Sequence, residues 1–129
     1  MPEWGRGNGM LALIGSEIRR IGNTCKWSWD GWWAAWASEK SLRQWSVVNV
    51  LSAALAFSLP LSTVERAMIL GFGLLVLAAE LFNTAIEEVV DYISIEQDPR
   101  AKKAKDVGSA MVAVTAIAGG VVWLVVLSG

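Results

Sequence analysis

Glu80-Leu-Phe-Asn83-Thr84-Ala-Ile-Glu87-Glu88-Val-Val-Asp91 follows thirteen uncharged, mostly apolar residues, Ala67 to Ala79, and reads as a continuation of their helix. At roughly 100° per residue, Asn83, Thr84, Glu87 and Asp91 fall on the same side as Glu80. Glu80 and Glu87 stand almost one above the other, about 10 Å apart along the axis, and Glu88 is turned away. Carboxylates are costly on a helix otherwise suited to lipid, so ionisable groups there default to a functional reading. The competing reading is a buried structural network satisfied by neighbouring helices.

Working outward, Ser62-Thr63-Val64-Glu65 fits a capping box that starts this helix. The second crossing is therefore expected over residues 63–95. Upstream, Trp45 to Leu61 carries no charge and ends around Pro60, which gives a first crossing, residues 43–61, at the lower limit of about 17 apolar residues. Downstream, Asp98-Pro99 places an N-cap before a proline at the first helical position. A charged opening, Arg100 to Asp106, then precedes twenty-two uncharged residues, Val107 to Ser128. The third crossing is expected over residues 99–128. The fold class is an all-α membrane protein.

Before these crossings lies a different composition. Five of the eight tryptophans fall between Trp27 and Trp36, with Trp29, Trp32, Trp33 and Trp36 on one helical face. Tryptophan favours the headgroup level of a bilayer, so residues 17–38 read as an amphipathic helix lying in the membrane surface. Residues 1–16 are Gly-rich, lack the apolar core of a signal peptide, and read as a loosely held tail.

Ten of the eleven Lys and Arg residues lie before residue 44 or between Arg100 and Lys105. By the positive-inside rule the N-terminus and the Arg100–Lys105 connection face the cytoplasm, and the C-terminus faces the periplasm.

With 129 residues, 54% of them hydrophobic and 18% charged, the chain is one membrane domain, and a net charge of −1 gives no footprint for nucleic acid. A single cysteine, Cys25, and no histidine exclude an internal disulfide and a thiolate zinc site. Acid–base work must fall to carboxylates, Lys or Tyr92, and a metal would take oxygen ligands, which suits an ion like Mg²⁺. Neither a Gly-x-x-x-x-Gly-Lys-Ser/Thr loop nor the His-Arg-Asp and Asp-Phe-Gly signatures occur.

The second and third crossings form a hairpin about Asp98-Pro99. Asp91 then faces the level of Asp106, with Lys105 beside the stripe. Glu39, at the bend after the surface helix, can reach a similar depth. Glu39 and Glu87 are free to hold a divalent ion that also holds phosphates. Glu80, deeper and desolvated, could act as general base to a hydroxyl arriving from the lipid, with Asn83 to orient it.

Ala34-Ala35-Trp36-Ala37-Ser38-Glu39, Arg43-Gln44, Glu80-Leu-Phe-Asn83-Thr-Ala-Ile-Glu87 and Ala104-Lys105-Asp106-Val-Gly-Ser109-Ala together resemble the bacterial integral-membrane diacylglycerol kinase family, from about Arg20 to the C-terminus. The resemblance implies a homotrimer in the bacterial inner membrane, each chain giving three transmembrane helices and one surface helix, with active sites shared between subunits. It implies transfer of the γ-phosphate of ATP to diacylglycerol, giving phosphatidic acid. By position, Glu80 matches the family's general base, and Glu39 and Glu87 match its Mg²⁺ ligands, which also meet the nucleotide. Arg20, Trp27, Glu96, Gln97, Asp98, Lys105 and Asp106 match nucleotide-contacting positions. Lipid-contacting positions match Arg20, Thr24, Cys25, Lys26, Trp27, Ser28, Trp29, Trp33, Ala34, Ala35, Trp36, Ser41, Leu42, Arg43, Gln44, Trp45, Ser58, Leu59, Pro60, Leu61, Arg66, Glu80, Ser109 and Trp123. Asn83 and Asp91 support the site.

Two alternatives remain at this stage. Undecaprenol is a competing acceptor, because a related branch of the family phosphorylates it. From another class, a small oligomeric ion or proton-coupled transporter would use Glu80 as its ion site. Against the transporter, the charges gather at one interface and nothing ionisable follows Asp106 in the third crossing.

Overall fold

The structure, a computed structural model, describes residues 6–93 and 95–129, with side chains from Gly9 onward. Four α-helices account for nearly all of the described residues: α1 (Arg6–Ser38), α2 (Lys40–Ser58), α3 (Thr63–Ile93) and α4 (Pro99–Ser128). The chain divides into two compact units, one ending at Ala37 and one comprising Ser38–Gly129.

In the first unit, α1 starts at Arg6, so the part of the expected tail from Arg6 onward is helical; residues 1–5 lie outside the described residues. No proline or run of β-branched residues interrupts it, and the glycines that suggested a tail are accommodated at some cost in helix propensity. The tryptophan face forms a ladder at helical spacing. Trp29 and Trp33 meet edge to face at 5.7 Å, Trp33 and Trp36 at 6.4 Å, and Trp32 stacks on Trp36 at 6.1 Å. Thr24 and Ser28 donate to carbonyls one turn back, which satisfies their hydroxyls within the helix.

In the second unit α3 is central, with α2 and α4 each packed along it and no close backbone approach between α2 and α4. The turns explain this arrangement. Pro60 forces Leu59 into extended geometry (ψ 151) and stops α2 at Ser58. The Ser62 N–H donates to Glu65 Oε2 at 2.7 Å and the Glu65 N–H to Ser62 Oγ at 3.2 Å, a reciprocal capping box that starts α3. Arg66 ties the turn down. Its Nε donates to the Ala56 carbonyl at 3.0 Å and its Nη2 to the Leu61 carbonyl at 3.3 Å, while the guanidinium lies 5.2 Å from the centre of the Phe57 ring. Next to this turn Ala56, Ile69 and Val122 form the core, packed by Leu61, Phe72, Trp123 and Val126. The outer helices are joined where the Trp123 indole N–H donates to Ser52 Oγ at 2.9 Å. At the other turn Asp98 caps α4, accepting from the Arg100 N–H at 2.7 Å, with Pro99 at the first helical position.

Two helices, α3 and α4, are long and apolar enough to cross a membrane. Only 22% and 11% of their most apolar stretches are buried within the chain, unlike the core helices of soluble proteins. The nineteen-residue α2 is not one of these two.

Candidate active site

Glu80 and Thr84 are the buried polar side chains among the described residues, and Glu80 has 4% of its surface exposed. Ile69, Val76, Ala79, Glu80 and Thr84 are the buried residues of α3, so the helical periodicity that builds its packed face also carries the carboxylate inward. The Ser41 hydroxyl, on the first turn of α2, donates to Glu80 Oε2 at 3.1 Å. Thr84, also buried, donates to the Glu80 carbonyl at 3.0 Å and keeps its hydroxyl satisfied. Asn83, expected to orient Glu80, does something else. Its Nδ2 donates to Glu87 Oε1 at 2.9 Å. Asn83 lies one turn from both carboxylates; Ser41 of α2 takes Glu80, and Asn83 turns to Glu87, four residues on.

The α3–α4 hairpin sets the charged end of the site. Lys105 Nζ lies 2.6 Å from Asp91 Oδ1, joining the two helices fourteen residues apart. Asp106, expected to share a level with Asp91, pairs with Lys102 on its own helix. A cleft of about 580 Å³ opens beside this turn, lined among others by Asp91, Glu96, Gln97, Asp98, Lys102 and Lys105. Four of the sequence-derived nucleotide positions thus share one cleft. The Arg100 guanidinium, hydrogen-bonded to Asp98 at 3.0 and 3.2 Å, holds the Asp98 carboxyl below its usual range, with the Arg100 N–H adding to the effect.

Residues 26–127 match the family model described as prokaryotic diacylglycerol kinase. The chain is 42% identical over 114 residues to a diacylglycerol kinase of Pseudomonas aeruginosa, covering 87% of this chain and 91% of that one. A diacylglycerol kinase of Escherichia coli K12 is 35% identical over 108 residues (84% and 88% of the two chains), and one of Haemophilus influenzae 35% over 101 residues (78% and 86%). This chain belongs to the prokaryotic diacylglycerol kinase family. The matched residues include all of α2, α3 and their turn, so the Glu80 stripe and the α3–α4 hairpin are family territory.

For this family member the fit to a divalent cation turns on Glu39 and Glu87. Glu39 occupies the N-cap of α2, in extended geometry (φ −98, ψ 112), yet makes no capping hydrogen bond, and it is half-buried. Glu87 is half-buried with Asn83 on one oxygen. No group of three or more His, Cys, Asp or Glu that could hold a metal exists among the described residues. Carboxylate oxygens are the ligand type that Mg²⁺ takes, with waters and phosphate oxygens completing its shell.

The remaining sequence-derived positions lie in both units, each described on its own element. Arg20, Thr24 to Trp29 and Trp33 to Trp36 lie on α1, where Arg20 pairs with Glu17 at 2.7 Å. Leu42, on α2, is fully buried. Ser58 to Leu61 and Arg66 build the α2–α3 turn, and Ser109 is exposed on α4. At three residues the structure adds contacts that the sequence does not show. The role of Ser41 on Glu80 shows only once α2 is folded back on α3. Lys102 in the cleft was signalled by its place among Lys103 and Lys105. Gly108 carries no side-chain signal at all.

Proposed function

We propose that this chain transfers the γ-phosphate of ATP to the free hydroxyl of diacylglycerol, producing phosphatidic acid and ADP, with Glu80 as general base. The observation that carries this reading is a carboxylate buried on a membrane-length helix, held by one serine, within a chain of the prokaryotic diacylglycerol kinase family. Ser41 donates to Oε2 and so orients the carboxylate. The opposite oxygen accepts the acceptor's hydroxyl proton as that hydroxyl oxygen bonds to the γ-phosphorus and the bond to the β-phosphate oxygen breaks. Burial keeps water from competing for the phosphoryl group. The cleft beside Asp98 takes the nucleotide, and Lys105 and Lys102 supply positive charge near its phosphates. Glu39 and Glu87 would hold Mg²⁺, which supplies charge neutralisation on the phosphates when bound.

The finer architecture belongs to the same proposal. α2 is the first of three crossings, α1 lies in the surface of the inner membrane, and the Pro99 turn and active site face the cytoplasm. The working form is a homotrimer, because one thin three-helix unit leaves the polar stripe of α3 partly open and polar groups at membrane depth need partners. Transfer of ³²P from ATP in mixed micelles, comparing diacylglycerol with undecaprenol, tests the reading. Labelled phosphatidic acid is expected; label in undecaprenyl phosphate alone would move the chain to the other acceptor, and no label in either would overturn it.

A further inference from the structure

Asn83 makes two contacts that constrain each other. Its Nδ2 donates to Glu87 Oε1 at 2.9 Å, and its Oδ1 is buried without a hydrogen-bond partner. That oxygen lies against Gly108 of α4. A Cβ at 108 would overlap Oδ1, and it would come 3.5 Å from Asn83 Cγ and 3.3 Å from Ile86 Cδ1. An amide has donors at one end and an acceptor at the other, while an ionised carboxylate only accepts. Turning the amide over would set oxygen against oxygen at Glu87 and lose the bond. The carbonyl must therefore face α4, where only a residue without a side chain leaves it room. Glycine inside a helix is otherwise unfavourable, so helix propensity does not account for it here. Because the overlap falls on the end of a side chain, alanine at 108 would displace Asn83 and not the backbone of α3.

We propose that Gly108 is a positioning residue: by leaving room for the Asn83 carbonyl it fixes the Glu87 carboxylate in one orientation, with Oε1 held and Oε2 presented to the divalent cation. This rests on the reading of Glu87 as a cation ligand. Groups that orient a ligand carboxylate change metal affinity by roughly 10–100-fold when removed.

The test uses the purified full chain in micelles, with Mn²⁺ as the probe and a non-hydrolysable ATP analogue present. Bound Mn²⁺ is read from loss of the free-ion electron paramagnetic resonance signal, and the Mg²⁺ dependence of turnover is measured alongside. Gly108→Ala and Asn83→Ala should each weaken Mn²⁺ binding by about 10–100-fold and raise the Mg²⁺ needed for half-maximal turnover. The double variant should be no worse than either, since both break one tether. Glu87→Gln is the control. If Glu87→Gln weakens Mn²⁺ binding while both single variants leave it unchanged, the positioning role is overturned. If Glu87→Gln itself leaves binding unchanged, the ligand reading fails and the proposal with it. Should Gly108→Ala not assemble, Asn83→Ala decides alone: it removes the tether without the overlap, and unchanged Mn²⁺ binding there overturns the inference.

Discussion

Gly73 of α3 lies under Asn49 of α2, and Gly108 of α4 lies under Asn83 of α3; at both places a Cβ would overlap the amide oxygen. The two regions use the same close approach for different ends. Asn49 returns its Nδ2 to the Trp45 carbonyl of its own helix at 3.0 Å, among Val48, Ile69, Phe72, Val76 and Trp123. Asn83 sends its Nδ2 to a carboxylate. An amide at membrane depth has no water to satisfy it and must place its donor on a protein group. Which group receives it separates a helix-packing device from a site-building one. The ionisable groups follow the same division: α3 carries Glu80, Glu87 and Asp91 above Val76, and no ionisable residue between Val76 and Arg66.

If this division is right, the largest effect comes from the carboxylate at its border. Glu80→Gln should lower turnover by roughly 10²–10⁴-fold, the usual worth of a general base, with the purified oligomer intact. Next, Glu39→Gln and Glu87→Gln should raise the Mg²⁺ requirement by on the order of 100-fold. Glu88→Gln, exposed and off the stripe, should leave that titration nearly unchanged; the reverse ranking would break the assigned helical phase. On the other side of the comparison, Gly73→Ala should cost about 1 kcal/mol of stability, measured by denaturation in mixed micelles, because Asn49 must give way. Its Mg²⁺ titration should match wild type. A shifted titration would mean the two Asn–Gly contacts are not distinct. Smaller still, Ser52→Ala should lose about 0.6 kcal/mol, an average intramembrane hydrogen bond, through the Trp123 partner.

The smallest effect concerns the exposed Asp98 cap. Its carboxyl is held below the ordinary value by Arg100, so its contribution is present above that ordinary value and is lost as pH falls through the lowered one. Asp98→Asn should therefore lower stability slightly at neutral pH and remove this part of the loss on acidification, so that wild type and variant converge at low pH.

The helices were legible because each boundary has a local chemical cause. Pro60, the Ser62–Glu65 box and Asp98-Pro99 can all be read without tertiary structure, and the structure forms the corresponding hydrogen bonds. The stripe was legible too, since periodicity alone puts Glu80 and Glu87 on one side and Glu88 on another. The partners were not. Asn83 is one turn from both Glu80 and Glu87, and phase alone does not say which it serves; the position of α2, which brings Ser41 to Glu80, decides it. Lys105, read as lying beside the stripe, does pair with Asp91, but nothing in the sequence says that Asp106 turns to Lys102 of its own helix. Gly108 was invisible because its contribution is an absent side chain. The helicity of α1 from Arg6 was hidden by its glycines, whose cost to a helix is modest and not prohibitive.

On the proposed reading Glu80 takes a proton and does not merely hold the helices together. Nucleotide affinity of purified, correctly assembled Glu80→Gln, measured beside its turnover with diacylglycerol, tests it most directly. Wild-type affinity for ATP is expected, with turnover reduced by roughly 10²–10⁴-fold. Lost nucleotide binding would make Glu80 a structural group, and turnover near the wild-type rate would show that it is not the base.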